Sequence, residues 1–243
     1  MQLYCIVNNY AKIMHNNSGG FIMYYYAVIG DIKESKKVIN RYEIQERLKQ
    51  ILENVNSIYN DDIAADFLIT LGDEFQGLLE NSVHLLEIIK YIQREMYPIK
   101  IRFGIGIGEV STRIDKRAAI GADGPAFYAA REMIITLHEQ EKKIKKQADD
   151  VRIAFYNKES FYVEQINTML SLLKVIEDSW TEKQRYTIWD MMIHHGSQEM
   201  CAERLDTTQS TVARRLSEGK YIIYEKALRT IEEAMSRMGE ILW

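Results

Sequence analysis

The chain has 243 residues, 47% of them hydrophobic and 27% charged, with only 2 Pro. This composition supplies a real core and suits one large domain, or a medium domain plus a small one. A formal net charge of -4 excludes a global basic field for nucleic acid, so any such binding must come from a local patch.

The first 22 residues, MQLYCIVNNYAKIMHNNSGGFI, read as an extension. Their apolar run is too short for a signal-peptide core, and no basic residue precedes it. Composition shifts at Asn16–Gly20, and a second Met follows at Met23. From there YYYAVIG (24–30) predicts a strand ending at Gly30-Asp31. Residues 40–59 carry Ile44, Leu48, Ile51, Leu52, Val55 and Ile58 at helical spacing. FLITL (67–71) and EFQGLL (74–79) predict a hairpin. Residues 81–96 predict a second helix through Val83, Leu86, Ile89 and Met96, and IKIRFGIGIGEV (99–110) a further strand after Pro98. Strand, helix, strand, strand, helix, strand is the split βαββαβ arrangement, with an antiparallel sheet and both helices on one face. A loop with Gly121, Gly124 and Pro125, a helix over about 126–146 and a strand at 151–156 follow. The class is therefore α+β: a palm-like domain over 23–158, a connecting helix over 159–180, and an all-α unit over 181–243. Apolar runs are too short to span a membrane. The two cysteines, Cys5 and Cys201, lie far apart with no pairing pattern, which fits a reducing cytoplasm.

In a βαββαβ sheet the first strand lies beside the third. Asp31 then meets the Gly72-Asp73-Glu74 turn, although the two carboxylates stand 42 positions apart. Gly-Asp is by itself a common hairpin-turn pair. The convergence of Asp31 with Asp73 turns the reading toward a hard cation such as Mg2+ or Mn2+, with Glu74 as a helper.

These residues resemble a known group. Asp31-Ile32 after an apolar strand, Gly72-Asp73-Glu74-Phe75 in a hairpin, and GIGIGEV (104–110) look like the class III nucleotide cyclase and GGDEF-type palm fold. The resemblance implies metal binding at Asp31 and Asp73, a nucleoside triphosphate ligand, and a homodimer. GPAFYAARE (124–132) is similar to the cyclase helix whose Asn and Arg act on ribose and triphosphate. Arg131 matches that Arg and joins Asp31 and Asp73 as a candidate catalytic residue; the other reading of Arg131 is a surface residue paired with a nearby Glu. The Asn position holds Phe127, and the base-reading lysine position, near Phe67, holds no lysine. These departures imply reduced catalysis. From Met23 to the C-terminus the chain also resembles the SatD family, through Gly30-Asp31-Ile32 with Ser35, Gly72-Asp73 with Phe75, and Asp123-Gly124-Pro125-Ala126-Phe127 with Ala130-Arg131.

SQEMCAERLDTTQSTVARRLSEGK (197–220) carries a second signal. A helix from Gln198 to Leu205 brings small Ala202 to a helix crossing, Asp206-Thr207 turn the chain, and Thr208 can cap the next helix. Asp206 stands where many helix-turn-helix proteins have Gly, and Asp also tolerates the left-handed conformation. Val212 and Leu216 point inward, leaving Thr208, Gln209, Ser210, Thr211, Arg214 and Arg215 for phosphate and base contacts in a DNA major groove. The supporting bundle draws its core from Ile188, Trp189, Met192, Ile223, Leu228 and Ile231. The expected function is a DNA-binding regulator with a metal- and nucleotide-binding, catalytically reduced palm domain. The alternative is an active nucleotidyl cyclase or nucleotidyltransferase whose C-terminal helices dock a partner.

Overall fold

The computed structural model describes residues 23–35, 40–117, 119, 121–144 and 149–241; the 1–22 extension lies outside them. The chain divides into two compact units, one comprising residues up to Asn167 and from Glu232 onward, the other Thr168–Ile231.

In the first unit the elements are β1 (Tyr25–Ile32), α1 (Arg41–Ile58), β2 (Ile63–Leu71), β3 (Glu74–Leu79), α2 (Leu85–Met96), β4 (Ile101–Gly108), α3 (Pro125–Ile144) and β5 (Val151–Phe155). The sheet order is β2-β3-β1-β4-β5, so β1 lies between its partners β3 and β4, both antiparallel to it. β5 extends the βαββαβ core by a parallel pairing with β4. The palm-like α+β arrangement expected from the sequence is thus present.

Strand periodicity explains the Gly alternation in β4, since successive side chains point to opposite faces. Ile and Phe go one way; Gly104 and Gly106 go the other, beneath α3. A Cβ on Gly106 would lie 1.9 Å from the carbonyl oxygen of Ala126. Glycine therefore lets α3 seat its backbone directly on the strand. Ala126, Phe127, Ala130 and Ile134 of α3 pack there with Ala27 and Ile29 of β1. On the opposite face Phe75 and Phe103 meet edge-on at 5.9 Å, over the space that a side chain at Gly30 would need. α1 is tied to β2 by Asn56, which bonds both the N–H and the carbonyl of Phe67.

Some expected boundaries move. β2 starts at Ile63, four residues before the FLITL run, because Ile63, Ala64 and Ala65 are themselves buried. Val83 precedes α2, which begins at Leu85, and stays exposed.

α4 (Phe161–Ser179) runs from the first unit into the second, where α5 (Glu182–His194), α6 (Gln198–Arg204), α7 (Gln209–Glu218) and the first half of α8 (Tyr221–Ile241) follow; from Glu232 α8 belongs to the first unit. Each short helix carries its own start signal. Thr181 and Gln184 form a capping box, and Ser197 and Thr208 each accept an N–H from three residues on. Asp206 adopts φ 46°, the left-handed turn expected of it. Ile188, Cys201, Ala202, Val212, Leu216, Tyr224, Leu228 and Ile231 are buried. The core face of α8 is the 224, 228, 231 stripe. Ile223, expected in the core, falls one helical step off that stripe and is 63% exposed. Met192 and Trp189 are half-buried, and Met191 takes the inner place on α5. Among the described residues, no helix is long and apolar enough to cross a membrane.

Candidate functional site

At the carboxyl end of β1, Asp31 stands in register with Glu74 of β3 on one side and Arg102 of β4 on the other. Paired residues of neighbouring strands share a face, so this row lies beneath α3. That helix answers with Arg131, His138 and Glu141, spaced by seven and three positions and hence on one side of it.

The charges interlock. Arg102 donates from Nη1 to Asp31 Oδ2 at 2.6 Å, and His138 Nε2 reaches the same oxygen at 2.9 Å. Arg102 also donates from Nε to Glu141 at 2.9 Å, and from Nη2 to the same carboxylate. Arg131 grips both oxygens of Glu74, one of them at 2.8 Å. Arg102 is only 5% exposed, which places a charge where it must be fully paired. Burial pushes the Asp31 carboxyl above its ordinary range; Arg102 and His138 oppose that, and Asp73 adds to it.

The structure therefore gathers Asp31, Glu74 and Arg131, with Asp73 close enough to act on Asp31 electrostatically. Asp73 also borders a small pocket with Ile32, Ser35, Arg41, Ile44 and Gln45 at the start of α1. Its carbonyl accepts the Ile32 N–H at 3.2 Å, a turn role held alongside any other. For Arg131 the pairing with a nearby Glu is what is observed, and that Glu is itself one of the candidates.

Arg102, His138 and Glu141 escaped sequence reading. Two signals pointed to them: the 131–138–141 helical stripe, and the even-numbered side of β4, where Arg102 precedes Gly104 and Gly106. The donor set does not fit the divalent ion implied by the resemblance. The inward oxygen of Asp31 already accepts a guanidinium and an imidazole, and the described residues hold no cluster of three His, Cys, Asp or Glu side chains arranged for a metal.

The positions that depart from the cyclase pattern are apolar in fact as well as in sequence. Phe127 is buried in the cluster between α3 and the sheet, and Phe67 is fully buried across from Gly77. The chain between β4 and α3 lies over β2 and β3. Lys116 accepts the Asp66 N–H through its carbonyl at 2.9 Å, Gln76 donates to the Ala119 carbonyl at 2.7 Å, and Ala119 completes the apolar cluster.

In the second unit α7 leaves Thr208, Gln209, Ser210 and Arg214 exposed and Thr211 half-buried. Thr208 Oγ1 lies 3.1 Å from the Ser210 hydroxyl, and Gln209 donates to Gln198 at 2.9 Å. Arg214 makes no hydrogen bond or ion pair among the described residues. Arg215 corrects the expectation of full exposure: it is half-buried, and its Nη1 approaches the Thr187 hydroxyl at 3.4 Å. Behind this surface Arg204 donates to both oxygens of the buried Asp190, at 2.8 and 2.6 Å. That fork holds the Asp190 carboxyl below its ordinary range.

Comparison with curated proteins finds no match. Among solved structures, a bacterial light-regulated adenylyl cyclase aligns at 12% identity over 55% of this chain and 77% of its own, with TM-score 0.39. The guanylate cyclase domain of RhGC from Catenaria anguillulae, solved in complex with GTP, aligns at 12% over 46% and 73%, with TM-score 0.36. A regulator of polyketide synthase expression from Bifidobacterium adolescentis aligns at 12% over 90% and 86%, with TM-score 0.28. These likenesses are too distant to bear on function. The SatD family matches over residues 25–237, nearly the whole chain, and the protein belongs to that family.

Proposed function

We propose that this protein is a cytoplasmic DNA-binding regulator whose palm domain senses a phosphate-bearing ligand, of the nucleoside triphosphate class, with catalysis reduced. The observation that carries the reading is α7. A left-handed turn at Asp206 and the Thr208 cap start it, Val212 and Leu216 anchor it, and Ser210 and Arg214 stay exposed on its outer side. Short polar groups at the start of a helix, with an uncommitted guanidinium one turn further on, suit phosphates and base edges. The second unit carries nine acidic and nine basic side chains, so attraction to DNA rests on this local surface. A homodimer would present two such helices to a palindromic site, about 34–36 Å apart.

The test is fluorescence anisotropy of the purified protein with labelled duplex DNA across a salt series. Arg214→Ala should weaken binding and lower the slope of log K against log salt by about 0.9, as one phosphate contact is lost. Unchanged affinity and slope would transfer the hairpin to partner docking.

The reduced-catalysis part is supported by Phe127, buried where the resemblance calls for a ribose-binding Asn, and by the engagement of Asp31 with Arg102 and of Arg131 with Glu74. The alternative, an active nucleotidyl cyclase or nucleotidyltransferase using Mg2+ or Mn2+, is favoured by one observation: Asp31, Glu74 and Arg131 meet at one end of the sheet, with Asp73 beside them. Incubation with ATP and GTP in Mn2+, with products separated by chromatography, decides between them. Product that vanishes in Asp31→Asn would make the enzyme reading primary.

A further inference from the structure

We infer that Arg102 is a resident cation of the palm domain, standing in place of a divalent ion, so that Asp31 is neutralised from within the fold. Four carboxylates, Asp31, Asp73, Glu74 and Glu141, converge near the end of β1. No three of them are arranged as a ligand set, but Asp31 and Glu141 are near enough to share one cation. Here the positive charge comes from β4. The Arg102 guanidinium donates to Asp31 at 2.6 Å on one side and to Glu141 on the other, and the residue is almost wholly buried.

Three features make this a built arrangement. The strand register sets Arg102 directly opposite Asp31. The glycines that follow Arg102 on the same face of β4 let α3 come close enough for Glu141 to hold the guanidinium from above. The planar fork of Arg spans two carboxylates at once, which a Lys ammonium does not do with the same geometry. A divalent ion taking Asp31 Oδ2 would have to displace Arg102 and His138 from it, and one held by either oxygen would sit beside a buried guanidinium of like sign. The fold thus supplies the charge that Asp31 and Glu141 require, without a metal at Asp31. This inference is independent of the DNA-binding reading.

The experiment is calorimetric titration of Mn2+ into the full chain, for wild type, Asp31→Asn, Arg102→Ala, and Arg102→Ala combined with Asp31→Asn, each checked for folding by circular dichroism. The expected result is no saturable Asp31-dependent binding to wild type, a one-to-one site gained in Arg102→Ala, and its loss in the double variant. Should Arg102→Ala fail to fold, Arg102→Gln keeps the stem and part of the hydrogen bonding and takes its place. Wild-type binding that disappears in Asp31→Asn would overturn the inference. So would a folded, charge-free variant at position 102 that gains no site. The wild-type and Asp31→Asn titrations decide the main point even if neither position-102 variant folds.

Discussion

Asp31 in the first unit and Asp190 in the second each hold an arginine, Arg102 at 2.6 Å and Arg204 at 2.8 and 2.6 Å, yet their ionisation is driven in opposite directions. Burial wins at Asp31, whose carboxyl is pushed up despite Arg102 and His138. At Asp190 the fork from Arg204 wins over burial, and the carboxyl is held down. The arginines differ in how they are shared. Arg102 spends two of its nitrogens on Glu141 and gives Asp31 one, beside the His138 imidazole; Arg204 gives both of its contacts to Asp190. The shared guanidinium favours Glu141, whose carboxyl it holds below the ordinary range against burial, and Asp31 is left the less compensated of the two.

That contrast can be broken in three ways. The largest effect should come from Gly106→Val, since the added side chain meets the α3 backbone and lifts the helix that carries His138 and Glu141. A loss of about 3 kcal/mol in urea unfolding is expected. A wild-type midpoint would mean that the close seating of α3 does not build the charged layer.

Next comes the pair of aspartates. Stability contributed by Asp190 is present above the ordinary carboxylate pKa and is lost as pH falls through its lowered value. The contribution of Asp31 runs the other way: it is present below the ordinary value and is lost as pH rises through the raised one. Asp190→Asn should therefore lower Tm by several degrees at neutral pH, with the difference shrinking as the solution is acidified. Asp31→Asn should cost clearly less at neutral pH. Equal losses in thermal melts followed by circular dichroism would erase the distinction.

The smallest effect is chemical. Burial, reinforced by the hydrogen bond with Asp190, pushes the Cys201 thiol up to about 12. In a Cys5→Ser background, native protein at pH 8 should react with Ellman's reagent only on unfolding, because the thiolate is the nucleophile. Rapid native labelling would show that the Asp190–Arg204 neighbourhood opens readily.

Much of this was legible before any coordinates. Helical periodicity located α1, α2 and α7, and the position of Asp206 and Thr208 foretold a left-handed turn and a cap that are both present. The pairing of Asp31 with the Gly72-Asp73-Glu74 turn followed from βαββαβ connectivity. Less legible were Ile223 and Met192, because a run of neighbouring apolar residues leaves the phase of a helix open by one step. For Arg102, the glycines after it mark the face beneath α3, but a lone basic residue in an apolar strand carries no local sign of which carboxylates it meets.

The sequence by itself determined the elements, their order and the residue types gathered at the end of β1, since periodicity, caps and turns are local properties. Only the tertiary structure decided how those charges are spent. Whether Asp31 meets a metal or a guanidinium, and whether Arg131 meets a ligand or Glu74, depends on α3 resting on the glycines of β4. That approach joins residues dozens of positions apart, and no local pattern encodes the partner.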